Sequence, residues 1–254
     1  MVVAQGTFLS DAFARYQEIE RETVEGLGEK NAHVFLAIWN DYFEFENAIE
    51  QVYPQDKRTE SLVAVRLWEF SRELHTLQVL FLCGNYALLR GRLRFIWEMI
   101  FRAFYADTYE KKCPSDPDVP GPSLDEKSLW LEKLEEKGRL RWNKVMEPIL
   151  SRIIPLTQQA KNLDYCHKLW KNLNNYVHPT HSLVEEMIDH DALLIDRFNE
   201  EWAKATIAVA TDVFDLIWLV VFERFPGCAK IVASQGLGVQ YPATDGVLKK
   251  LLEA

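Results

Sequence analysis

Along most of this chain apolar residues return at every third or fourth position, the period of a helix with one buried face. Asp11 is placed to cap a first helix reaching about Glu25, with Gly26-Leu27-Gly28 as its stop. A second helix is predicted from Asn31 to Tyr53, where Pro54 ends it; Val34, Ile38, Phe45 and Ile49 mark its inner side. A third runs from Glu60 to Leu82 on Val63, Leu67, Phe70, Leu74, Leu77 and Phe81, and Gly84-Asn85 separates it from a fourth, Tyr86 to Tyr109. Four prolines and Gly121 make Cys113 to Ser123 a loop. Helices follow at Leu124 to Lys137, Arg139 to Leu150 (with Pro148 and Pro155 interrupting), Thr157 to Val177 and Asn199 to Phe225, before Pro226-Gly227. No turn of the Asn-Gly type joins alternating runs, and no repeat is evident. The expected fold is an all-α, up-down helical bundle forming one domain over 1–254. It divides into N-terminal helices at 1–55, a bundle at 61–225 and an irregular tail at 226–254.

Two helices are apolar on more than one side. In the fourth, Tyr86, Leu89, Leu93, Ile96, Trp97, Ile100 and Phe104 form one stripe, while Leu88, Phe95 and Met99 form another. In the last, Leu216 to Phe222 is apolar all round. Each is either a central core helix or a helix shared between the core and a partner. A homodimer would satisfy both.

With 254 residues, 48% of them hydrophobic and 26% charged, the composition is that of a globular protein and excludes disordered and collagen-like classes. Met1 to Ser10 has no basic residue and no long apolar core, so no signal peptide is expected. The uninterrupted apolar run Leu216 to Phe222 is far short of the roughly 18 residues a membrane span requires. Cys83, Cys113, Cys166 and Cys228 form no CxxC pair, so reduced thiols and a cytoplasmic location are the expectation. The formal charge of −9 excludes a general basic coat protein for nucleic acid. The charge is uneven, however. Asn85 to Tyr105 carries four arginines and one acid, and Lys137 to Lys171 eight basic residues and two acids. These segments hold +3 and +6, so a localised anion site is compatible with the overall balance.

Three constellations carry candidate chemistry. Lys171, Asn174, Asn175 and His178 share one side of the Thr157–Val177 helix near its end, where Pro179 stops it. A lysine, two amides and a dipole-stabilised histidine suit phosphate binding and proton transfer; a simple polar C-cap is the plainer reading. Arg90, Arg92, Arg94, Glu98 and Arg102 form the second, with Arg94, Glu98 and Arg102 at i, i+4 and i+8. They read as an ion-pair row, or as a phosphate or partner site in which Glu98 orients a guanidinium. His178, His181, Glu185, Asp189 and His190 are the third, but their spacing matches no metal motif, and neither a metal nor a cofactor is expected. Phosphate-loop, dinucleotide and nucleophile-elbow signatures are absent.

Gly84-Asn85-Tyr86, followed by Arg94 and Glu98 in an R-x-x-x-E spacing, together with Tyr176-Val177-His178-Pro179, resembles uncharacterised prokaryotic HEPN-like proteins of the abortive-infection type. The resemblance spans about Ser61 to Phe225. It implies a helical bundle, commonly dimeric, and the RNA binding and metal-independent ribonuclease activity of the superfamily's active members. Their arginine, polar residue and histidine correspond here to Lys171, Asn172 and His178. Lysine keeps the charge of the motif arginine but lacks its bidentate fork. On this reading His178, Lys171 and Asn172 are the catalytic residues, and Asn174, Asn175, Arg90, Arg94 and Glu98 bind RNA or a nucleotide. The alternative is a non-catalytic, dimeric interaction or regulatory module.

Overall fold

In the computed structural model, described for residues 14–28, 47, 50–51, 60–109, 123–137, 141–154, 159–177, 197–225 and 227–228, the helical period becomes an all-α bundle. The helices are α1 (residues 14–28), α2 (Leu62–Leu82), α3 (Tyr86–Tyr109), α4 (Leu124–Glu136), α5 (Met146–Ile153), α6 (Gln159–Val177) and α7 (Glu200–Arg224). A short 3-10 turn, Trp142–Lys144, precedes α5. The predicted Arg139–Leu150 helix is therefore two pieces, broken at Val145, where the backbone is not helical. The predicted helix Asn31–Tyr53 lies almost wholly outside the described residues, as do the Cys113–Ser123 loop up to its last residue, the 226–254 tail beyond Cys228, and His178 to His190.

The α2–α3 hairpin shows how local chemistry sets the frame. Cys83 closes α2, and Gly84 follows with φ +70°, a conformation that favours glycine. The Gly84 amide donates to Phe81 O and the Asn85 amide to Leu80 O, satisfying two carbonyls that the helix end would otherwise leave open. Asn85 Oδ1 then accepts from the Leu88 amide at 3.3 Å and starts α3. A Cβ on Gly84 would also stand 2.4 Å from Arg197 O, so the chain leading into α7 packs directly on this turn.

α3 runs between α2, α6 and α7 and touches α4 and α5 as well. Its first predicted stripe, from Tyr86 to Phe104, is buried throughout. The two doubly apolar helices resolve differently. Leu216 to Phe222 of α7 is buried on every side within the one chain, so α7 is a central core helix. Averaged over 18 residues α7 is apolar enough to cross a bilayer, more so than its uninterrupted run suggests, but 67% of that window is buried in the bundle. The second stripe of α3 is covered only in part: Met99 packs against the core, whereas Leu88 and Phe95 remain half exposed.

Polar groups fasten the far end of the bundle. The Asp107 side chain, near the end of α3, is fully enclosed. It accepts from the Leu62 amide (3.0 Å), the Val63 amide (3.2 Å) and the Ser61 hydroxyl (2.6 Å), so it caps the start of α2 from another helix. Lys127 Nζ of α4 donates to Asp107 at 2.9 Å and to Glu60 O at 2.8 Å, and Arg224 Nε of α7 donates at 3.2 Å. Burial alone would raise the Asp107 pKa, but the Ser61 hydroxyl, the Lys127 ammonium and the Leu62 amide together hold it below its usual value.

A depressed carboxyl pKa contributes stability above the unfolded value of 3.8, which is lost as the pH falls through the lower, folded value. Urea unfolding of the parent protein should therefore weaken between roughly pH 5 and pH 2, and Asp107→Asn should flatten that dependence. At neutral pH Asp107→Ala is expected to cost about 3–5 kcal/mol, because it strands the buried Lys127. Gly84→Ala is expected to cost more than about 1 kcal/mol by thermal or urea unfolding, from its positive φ and the Arg197 carbonyl together.

Candidate functional site

The arginine row of α3 separates by helical phase. Arg90 is turned into the bundle. Its Nε donates to Thr206 Oγ1 at 3.0 Å, Nη1 to the Tyr176 hydroxyl, and Nη2 to Trp202 O at 3.5 Å. Its guanidinium lies 4.7 Å from the centre of the Trp202 ring and 5.1 Å from that of Tyr176. The Arg90 guanidinium is committed to joining α3, α6 and α7, so it belongs to the scaffold. Arg92 is exposed on another side.

One turn further on, Arg94 reaches a different environment. It is 6% exposed, and its guanidinium carbon sits 4.4 Å from the centre of the Trp170 ring of α6. Nη1 is 2.5 Å from Glu98 Oε2, as the i, i+4 spacing predicts. Nη1 is thereby paired with the carboxylate, while Nε is a buried donor with no acceptor. Burial lowers the Arg94 pKa from its usual value, the Glu98 carboxylate opposes this, and neighbouring Arg102 adds to the lowering. Glu98 also lies 3.7 Å from Arg102, whose other partner is Glu135 of α4 at 3.0 Å.

Around Arg94 opens a groove of about 600 Å³ between α3, the 142–144 turn, α5 and α6. Trp142 and His167 stack at 4.9 Å with 18° between their planes, and Trp170 leans against Trp142 at 5.7 Å. Trp97 backs Trp142 edge-on at 6.3 Å. Arg102, Arg141 and Asn143 complete the polar wall, and Asn174 lines the α6 side. Three arginines therefore stand against two carboxylates, Glu98 and Glu147, beside partly exposed rings. A planar, anionic ligand meets its needs here: guanidinium donors for the charge and aromatic surface for the ring.

Of the residues expected to bind a ligand, Arg94, Glu98 and Asn174 thus come together in one groove, and Arg90 does not line it. Lys171, Asn172 and Asn175 are exposed on α6 and do not line the groove. His178 lies outside the described residues. The pattern of the sequence did not single out Trp142, Arg141, Asn143, Glu147 or His167. Only Arg102 carried a signal, its i+4 spacing from Glu98. Compared with known proteins, the chain matches no family model, no curated protein and no solved structure.

Proposed function

We propose that this chain binds RNA, or another nucleotide-containing ligand, in the Arg94 groove. The observation that carries this reading is one groove in which Arg94, Arg102 and Arg141 stand beside Trp142, His167 and Trp170. A phosphate oxygen accepting from a groove arginine makes a charge-assisted hydrogen bond worth roughly 1.5–3 kcal/mol. A base resting on the exposed parts of His167 and Trp170 would add about 1–3 kcal/mol of stacking. The overall charge of −9 sets the limit: binding is confined to one cationic groove.

Cleavage is a separate step within the same proposal. In the metal-independent reaction that the HEPN-like resemblance implies, the ribose 2′-hydroxyl attacks the adjacent phosphate. His178 takes that proton and returns one to the leaving oxygen, Lys171 offsets the growing charge, and Asn172 orients the group. The exposure of Lys171 and Asn172 outside the groove favours the second reading, a bundle that binds its ligand without cleaving it.

Anisotropy of a labelled single-stranded oligoribonucleotide should report binding that weakens with salt. Three arginine–phosphate contacts give a log–log slope of about −2, and Arg141→Ala should reduce it by about 0.7. Trp170→Ala should weaken binding by roughly 5- to 100-fold, with its melting temperature measured alongside as a control for folding. Saturating affinity that neither variant changes would place the RNA elsewhere, and no binding at low salt would end the proposal. In metal-free buffer, loss of cleavage in His178→Ala is the signature of the ribonuclease. Intact RNA after incubation with the parent protein assigns the chain to the non-catalytic reading.

A further inference from the structure

The Arg94 groove holds two carboxylates, and their circumstances differ. Glu98 is committed to arginines: it lies 2.5 Å from Arg94 Nη1 and 3.7 Å from Arg102 Nη2. Glu147 is not. It stands in the first turn of α5 and is exposed, and its side chain takes part in no ion pair or hydrogen bond among the described residues. A site built for phosphate alone gains nothing from that carboxylate, which repels the ligand's charge. As a first-turn acid Glu147 suits the α5 dipole, but that role needs only its charge and not its place in the groove.

The neighbours of Glu147 show what it can serve. Arg141 and Glu147 flank the Trp142–Lys144 turn, one a donor only and the other an acceptor only, and Trp142 between them stacks on His167 at 4.9 Å. A base lying on the exposed parts of His167 and Trp170 turns its edge, not its face, towards these polar walls. An ionised carboxylate accepts best from two parallel N–H donors. Guanine alone among the four bases presents two donors side by side, N1–H and the N2 amino group. Adenine and cytosine offer one amino group and uracil one N–H, each beside ring or carbonyl acceptors that a carboxylate repels. Asn143 and Asn174 also line the groove, but an amide both donates and accepts and so fits any base.

We propose that Glu147 selects a guanine base in the Arg94 groove, accepting from N1–H and the N2 amino group while the groove arginines hold the phosphate. This rests on the nucleotide-binding reading above and adds to it the identity of the base, whether carried by a strand of RNA or by a free guanine mononucleotide.

A labelled oligouridine carrying one central guanosine should bind about 5- to 10-fold tighter than its adenosine counterpart, with inosine, which lacks the N2 amino group, in between. Glu147→Gln and Glu147→Ala should each bring the guanosine-to-adenosine ratio close to one, with an unchanged circular dichroism spectrum. Calorimetric titration with guanosine and adenosine 5′-monophosphates separates the two sources. The same preference there assigns a free nucleotide, and a preference confined to the oligonucleotides assigns a strand. Equal affinity of the parent protein for the guanosine and adenosine oligonucleotides overturns this assignment and leaves groove binding standing. So does a preference that survives both variants, which would reduce Glu147 to a partner of the helix dipole. Binding of none of these probes ends the groove reading and this assignment with it.

Discussion

Asp107 is the constraint on which the bundle depends. One enclosed carboxylate receives donors from the start of α2, from α4 and from the end of α7, while itself sitting near the end of α3. Two of those donors are backbone amides that a helix cannot satisfy internally, and two are cations, so the site requires the ionised form. A helix end can slide against its neighbours when only apolar contacts hold it. It cannot slide here without leaving a buried charge unpaired, which costs far more than a lost methyl contact. The Gly84 turn, packed against Arg197 O, holds the other end of the same hairpin. With both ends of α2–α3 fixed, the angular positions of all the α3 side chains follow.

That fixed phase is what divides the arginine row into different roles. Arg90 and Arg94 are four residues apart, so they point in similar directions but meet different neighbours along the helix. Arg90 finds Thr206, Tyr176 and Trp202, which satisfy it. Arg94 finds Glu98 and the face of Trp170, which hold its charge but not all its donors. Arg94 therefore lines the groove, whereas Arg90 does not. Glu98 ties the two sides of α3 together, since it and Arg102 line both the groove and a second hollow between α2, α3 and α4 that Phe95 also lines.

Much of the fold was legible in the spacing of residues. The bounds of α3 and the end of α2 at Gly84 follow from helical period and turn chemistry, both of which act over four or five residues. The break at Val145 was legible in part: Pro148 interrupts the Arg139 to Leu150 pattern, because it lacks an amide proton and its ring clashes with the carbonyl four residues back, but no spacing fixes the break at Val145. In the site, the Arg94–Glu98 pair was legible as an i, i+4 spacing. Trp142 and His167 were not, because their stacking joins separate elements and leaves no periodic trace.

By itself, then, the sequence determined that this chain is helical, where most of its helices turn, and which residues share a face. Those properties are local, set by 3.6 residues per turn and by the conformations open to glycine and asparagine. Only the tertiary structure decided what each face meets. It made α7 a core helix, left Leu88 and Phe95 at the surface, and brought to Asp107 partners 45, 20 and 117 residues away. A helical wheel fixes the direction of a side chain. What lies in that direction depends on how distant helices exclude water from one another, and no short window of sequence contains that.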